Sequence, residues 1–423
     1  MDHVLGLRCL VCGEVYAPGE VDYVCPRHGV DGNLDVLYDY ERIGASFSPV
    51  DAARTAGMWR YRPLLPVEAG ARVPPLLVGD TPQYLVPRLA ATLGLRRLWV
   101  KDDGRNPTAS LKDRASALAV VKAAERGAAL ITTASTGNAA AALAGLCAAA
   151  GRSCLIFVPA SAPPAKVAQL LAYGATVLSV KGSYDQAVEL CLQGSAAHGW
   201  YNRTTGFNPY MSEGKKTVVF EICQQLGWEA PDAIFVSVGD GCIIGGLHKG
   251  LRDLLALGWI DRMPRLYGVQ AAGSNYLAEA WERGEDVLTK PPIAAHTVAD
   301  SISAGLPRDR LKAMAAVRET GGAFVTVSDE EILAAIPALA RGSGVFAEPA
   351  GAAAWAGLVR AAGVGLVGPT DRVVVISTGS GLKDVASARR AAEGTGAATI
   401  EIEADRESLE RALADHGIGR GEA

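Results

Sequence analysis

The sequence predicts an α/β protein with parallel sheets covered by helices on both faces. Three observations carry this. From Leu98 onward, short β-rich runs alternate with longer helical patterns, the order that builds parallel sheets. Several of these strand-to-helix junctions are rich in Gly and Ser. The composition, with 49% hydrophobic residues, 6% aromatic residues and 48 Gly in 423, suits an Ala/Val/Gly-rich enzyme core better than an all-β sandwich.

The expected strands are Leu98–Lys101, Ala129–Thr133, Leu155–Val158, Thr176–Val180, Ile234–Val238, Leu266–Gln270, Ala323–Val327 and Val373–Ser377. Between them, the patterns predict helices over Asp113–Glu125, Ala139–Ala150, Pro164–Ala172, Tyr184–Ala197, Gly214–Leu226, Ile244–Leu257 and Asp329–Ala340. Residues 34–40 and the Pro-rich stretch through Pro75 read as an extended connector. The segment Glu403 to Gly417 reads as a peripheral helix after a short strand. At about 150 residues per domain, the length allows two to three domains. We expect a cysteine knuckle over 1–40 and a catalytic region over 41–423, with a smaller α/β domain inserted at approximately 125–210.

Charge narrows the function. Lys+Arg of 41 against Asp+Glu of 45 offers no basic field for nucleic acid or an anionic membrane. The longest apolar run, Ala139 to Gly151, is short of the roughly 18 residues a membrane helix needs. The N-terminus carries neither a basic nor an apolar leader, so the expectation is a cytoplasmic enzyme. Cys9, Cys12, Cys25 and His28 follow the pattern C-x2-C-x12-C-x2-H. Two short ligand pairs of this kind can converge on one tetrahedral zinc, and a complete ligand set leaves no open position for catalysis. The alternative is a knuckle without metal.

Four constellations carry chemistry. In NPTASLKDR (Asn106 to Arg114), Ser110 and Asp113 have capping-box spacing, so a helix should begin near Leu111. Lys112 would then sit in the first turn, where the dipole and partial burial favour the free amine that forms a Schiff base. Ser135, Thr136, Gly137 and Asn138 open an Ala-rich helix, where exposed N–H groups and hydroxyls suit a carboxylate or phosphate; simple helix capping would use the same residues. Gly239, Asp240, Gly241, Cys242 and Ile243 form a Gly-rich strand-to-helix turn that suits a small phosphate ester better than a nucleotide, since it matches neither G-x-G-x-x-G nor a P-loop. Ser377, Thr378, Gly379 and Ser380 follow the last strong strand, where a hydroxyl could meet a heteroaromatic nitrogen.

In this order, and with EPAGAA at Glu348 to Ala353, WRYRPLLP at Trp59 to Pro66, GDTP at Gly79 to Pro82 and EGKKT at Glu213 to Thr217, the motifs resemble the fold-type II pyridoxal phosphate enzymes, specifically the threonine synthases. The resemblance spans roughly Leu7 to Asp384. It implies a two-domain fold like the tryptophan synthase β chain, and pyridoxal 5'-phosphate held by Lys112, which also moves protons. Asn138 would meet the cofactor's phenolic oxygen, Ser135, Thr136 and Gly137 the substrate carboxylate, Gly239 to Ile243 the cofactor phosphate, and Thr378 the pyridine nitrogen. The implied reaction converts O-phospho-L-homoserine and water to L-threonine and phosphate, in a homodimer.

Two departures stand out. Met211 occupies a place where many threonine synthases have an Arg associated with the substrate phosphate, and the turn Gly-Asp-Gly-Cys-Ile replaces Gly-Asn-x-Gly-Asn. From this reading we expect Met211 to mark an altered leaving-group pocket. Arg203, Lys215 or Lys216 could supply a substitute cation, though we expect each to be a solvated surface charge. The alternatives are a β-eliminating or β-replacing enzyme on a serine-, cysteine- or threonine-type amino acid, and a catalytically dead scaffold serving as a knuckle binding module.

Overall fold

The structure is a computed structural model. It describes residues 1–418 apart from Thr136, Pro163 and Ser183, and the side chains of residues 164, 165, 184 and 185 are left aside. In chain order the strands are β1 (Val4–Cys9), β2 (Val15–Tyr16), β3 (Leu34–Tyr38), β4 (Gln83–Leu85), β5 (Arg97–Asp102), β6 (Leu130–Ala134), β7 (Ser153–Pro159), β8 (Thr176–Val180), β9 (Tyr201–Asn202), β10 (Ala233–Ser237), β11 (Arg265–Ala271), β12 (Ala323–Val327) and β13 (Arg372–Ser377). They form three sheets: β2-β1-β3, the larger β12-β11-β10-β13-β5-β4, and β8-β7-β6-β9.

The larger sheet is parallel except for the edge strand β4. Its centre is built from runs buried on both faces, such as Val373, Val374, Val375 and Ile376, all at 0% exposure. Such continuous apolar strands need helices above and below. The sheet of β6 to β9 is also parallel. In both sheets, chemistry belongs at the carboxyl ends of the strands.

Several elements differ from the sequence expectation. Residues 34–38 are not a connector but pair with β1 in an antiparallel sheet. The helix expected over 214–226 is two, Tyr210–Lys215 and Thr217–Gln225. Helices Tyr276–Arg283, Arg310–Thr320 and Pro349–Gly363 were not anticipated. The last of these is buried almost all round, so its sequence lacks the polar stripe that marks a surface helix. No strand precedes the final helix Arg406–Asp415 among the described residues.

The helix Lys112–Glu125 is fixed from within. Arg114, fully buried, donates from Nε to Asp103 Oδ2 at 2.7 Å and from Nη1 to Glu221 Oε1 at 2.7 Å. Lys101 Nζ reaches Glu221 Oε2 at 2.7 Å. Breaking a buried ion pair by removing one partner costs about 3–5 kcal/mol, so this network anchors the first turn that carries Lys112.

Candidate active site

The segment before Lys112 is zipped to the turn after β13. Leu111 N donates to Thr378 O at 2.9 Å and Ser380 N to Ala109 O at 3.0 Å, and Ser110 forms an antiparallel bridge with Gly379. Ala109 takes a left-handed conformation, φ 65°. The expected Ser110–Asp113 capping box is therefore absent. Ser110 pairs with Gly379 through its backbone while its hydroxyl has no partner among the described residues, and the Asp113 carboxylate instead accepts from Thr108 N at 2.7 Å and from its hydroxyl.

This zipper holds Lys112 and Thr378 on neighbouring turns. Burial is the main force lowering the Lys112 amine to about 8, followed by the cations Lys215 and Arg203; Cys242 and Glu348 oppose the shift. A sizeable fraction of free amine thus exists near neutral pH.

After β10 the chain turns through Gly239 and Gly241 into the helix Cys242–Ala256. Gly241 has φ 90°, and a Cβ there would lie 2.9 Å from both Asp309 O and Ala313 Cβ. At Gly239 a Cβ would lie 2.8 Å from Ile302 Cα. Only a bare backbone fits, which leaves a helix N-terminus able to receive an anion. Asp240 contributes through its main chain: its carboxylate accepts from Arg308 N at 3.4 Å, and burial pushes its pKa up. Cys242 is buried, with Sγ 3.5 Å from Ser212 Oγ, and Lys312 Nζ donates to that same hydroxyl at 3.2 Å.

Asn138 begins the helix Asn138–Ala149. Its Nδ2 donates to Glu348 Oε1 at 2.6 Å, and burial raises the Glu348 carboxyl. Ser135 Oγ accepts from Gly137 N at 3.2 Å, while Thr136 lies outside the described residues. Gly137 and Asn138 line a cleft with Lys166, Ser301, Glu348 and Lys383. Sequence reasoning gave no role to Glu348 within EPAGAA or to Lys383 in the turn after the last strong strand, and it missed Lys166, Ser301 and Lys312. These last three stand apart from the motifs that were singled out.

The cations near Lys112 correct a further expectation. Arg203 and Lys215 are each 1% exposed, so neither is a solvated surface charge. Arg203 Nε donates to Ser116 Oγ at 3.1 Å and Nη1 to Thr205 Oγ1 at 3.2 Å; Lys215 Nζ lies 3.5 Å from the same Thr205 hydroxyl. Among the described residues no carboxylate forms a salt bridge with Lys215. Lys216, also buried, is instead paired with Glu213 at 2.5 Å and Asp253 at 2.6 Å. Met211 is fully buried and packs in the main apolar core.

Cys9, Cys12, Cys25 and His28 are also brought together, with their ligand atoms all within 4.8 Å of one another. The cluster lies beside the three-stranded N-terminal sheet, since Cys9 closes β1.

Residues 75–379 match the model of the pyridoxal-phosphate dependent enzyme family, so the chain is a pyridoxal phosphate-dependent enzyme. Threonine synthase of Methanocaldococcus jannaschii is 38% identical over 409 residues, 96% of this chain and 98% of that protein. Threonine synthase of Methanosarcina acetivorans is 40% identical over 95% of this chain and 98% of its own length. The processed threonine deaminase isoform 2 of Solanum lycopersicum superimposes with a TM-score of 0.64 at 22% identity, covering 75% of this chain and 84% of that one, a likeness of fold. Within the pyridoxal phosphate enzymes, the chain belongs to the threonine synthase family. No helix among the described residues is long and apolar enough to cross a membrane.

The residues of this site fit pyridoxal phosphate: an amine lowered toward neutrality, a Cβ-free turn at a helix start, and buried hydroxyls at Ser110 and Ser377 with no protein partner among the described residues.

Proposed function

We propose that this enzyme converts O-phospho-L-homoserine and water to L-threonine and phosphate, with Lys112 as the residue that holds the cofactor and carries protons. Bound pyridoxal phosphate supplies an electron sink for charge developing at the substrate Cα. Lys112, with its amine lowered to about 8, is poised to take and return protons at Cα and Cβ near neutral pH. Asn138, held by Glu348, orients the cofactor ring. Ser135 and Gly137 at the helix start would receive the substrate carboxylate, together with Thr136 of the same sequence motif. The amides from Gly239 to Ile243, with Lys312 beside them, hold the cofactor phosphate. Thr378 would offer the pyridine nitrogen a hydroxyl, where a carboxylate would favour its protonation.

Arg203 and Lys215 receive the substrate phosphate and stabilise it as it leaves. The observation that carries this reading is Lys215: a buried ammonium beside Lys112, without a carboxylate salt bridge among the described residues. A buried charge is costly unless paired, and a substrate dianion completes the pair. The proposal extends to a homodimer working in the cytoplasm, in keeping with eight cysteines that form no disulfide.

The test is product analysis with the holoenzyme. Phosphate and L-threonine should appear one for one from O-phospho-L-homoserine. Release of ammonia and keto acid from L-serine or L-threonine, with the phosphate ester left untouched, would place the enzyme among the eliminating relatives instead.

A further inference from the structure

The N-terminal cluster has the dimensions of a metal site. Cys12 Sγ and Cys25 Sγ are 4.0 Å apart, Cys9 Sγ and His28 Nδ1 3.8 Å, and Cys25 Sγ and His28 Nδ1 3.4 Å. Zinc–sulfur bonds of about 2.3 Å and zinc–nitrogen bonds of about 2.0 Å give tetrahedral edges of roughly 3.5–3.8 Å. The thiols are therefore spaced for a shared ion and too far apart for a disulfide. Outer partners are in place as well: Val11 N donates to Cys9 Sγ at 3.4 Å, and Tyr16 Oη lies 3.0 Å from Cys25 Sγ. Three thiolates and an imidazole in this arrangement select zinc.

The segments that such an ion would fix also press on the substrate side of the molecule. Between Cys12 and Cys25 lies Tyr23, whose hydroxyl accepts from Asn202 N at 3.0 Å and whose ring stacks on Phe207 at 4.8 Å. Just beyond His28, Asn33 Nδ2 donates to Gly206 O at 2.6 Å, and Asp31 pairs with Arg310. Asn202, Gly206 and Phe207 flank Arg203 on both sides. Asn33 is only 3% exposed, so its contact is held away from water.

We propose that Cys9, Cys12, Cys25 and His28 bind one zinc ion, which buttresses the segment from Asn202 to Phe207 through Tyr23 and Asn33. The effect on substrate affinity rests on the reading of Arg203 given above; the buttress itself does not.

The experiment uses the full-length holoenzyme, produced with zinc and then stripped by a chelator, together with Cys12→Ser and Asn33→Ala. Metal content is measured by elemental analysis, and cobalt(II) serves as the spectroscopic probe of a tetrahedral thiolate site. We expect one zinc per chain, a cobalt–thiolate spectrum that Cys12→Ser abolishes, and hydrogen exchange across 201–208 about tenfold faster without metal. Asn33→Ala should keep its zinc yet accelerate exchange in the same segment. In both cases KM for O-phospho-L-homoserine should rise about fivefold while kcat holds, the size expected for one hydrogen bond. A zinc-supplemented preparation without bound zinc, or stripped protein with unchanged exchange over 201–208, overturns the inference. Faster exchange with KM unmoved upholds the buttress and counts against Arg203 as the phosphate ligand.

Discussion

Asn138 Nδ2 donates to Glu348 Oε1 at 2.6 Å, a bond that ties the helix after β6 to the helix packed on the larger sheet. Asn138 starts the helix after β6, and Glu348 caps the helix Pro349–Gly363 that packs on β10 to β13. Glu348 N in turn donates to Gly379 O at 3.0 Å, so the pair is tied to the turn that presents Thr378. The bond spans 210 positions of sequence, and its Glu348 end acts electrostatically on Lys112.

Glu348→Ala should therefore destabilise the protein by about 1–3 kcal/mol, the cost of leaving a buried donor without its acceptor. Glu348→Gln keeps an oxygen for Asn138 and should lose much less. Urea unfolding of the two variants side by side separates them; equal losses would show that the hydrogen bond is not what holds the junction.

Arg203→Ala and Lys215→Ala should each raise KM for O-phospho-L-homoserine. A charge-assisted hydrogen bond contributes about 1.5–3 kcal/mol, or roughly 10- to 150-fold in binding. Steady-state kinetics checks this. Unaltered KM in both variants would remove the buried cations from the substrate site.

Met211→Arg should not improve the handling of the phosphate ester. Met211 is fully buried in the apolar core, and an unpaired charge placed there should cost more than about 3 kcal/mol. Thermal or urea unfolding should show the loss. A stable variant with faster turnover would mean that position 211 does face the leaving group.

Capture of pyridoxal phosphate by the cofactor-free protein should follow the free-amine fraction of Lys112. The rate should rise with pH and reach its half-point near 8, the value to which burial, Lys215 and Arg203 lower the amine. Below that pH the ammonium dominates and capture slows. Lys215→Met removes a neighbouring cation, so the half-point should move upward. A half-point near 10.5, the ordinary lysine value, would show that the site does not tune the amine. Borohydride reduction and peptide mapping should place the adduct on Lys112.

Much of this site was legible because its parts are contiguous. Asn138, Gly239 to Ile243 and Thr378 each come within a few residues of a strand's end, so strand-to-helix punctuation exposed them, while Lys112 was marked by the contiguous motif NPTASLKDR at a helix start. The strand cores were equally readable from their apolar runs. What sequence could not sort was the fate of neighbouring charges. Lys215 and Lys216 are adjacent, about 100° apart on a helix. Lys216 is consumed by Glu213 and Asp253, while Lys215 acts on Lys112. The difference is made by Asp253, a partner 37 positions away. Nor does a motif position give direction: Met211 is fully buried and packs in the main apolar core. Helix Pro349–Gly363 escaped notice because complete burial erases the amphipathic period on which recognition depends.

The central claim, that the phosphate leaves by elimination and water then adds to carbon, is tested most directly by running the reaction in ¹⁸O-water with O-phospho-L-homoserine. The account predicts ¹⁸O in the hydroxyl of L-threonine and none in the released phosphate, because the C–O bond breaks. Label in the phosphate, with homoserine as the other product, would mean attack at phosphorus and would contradict the account.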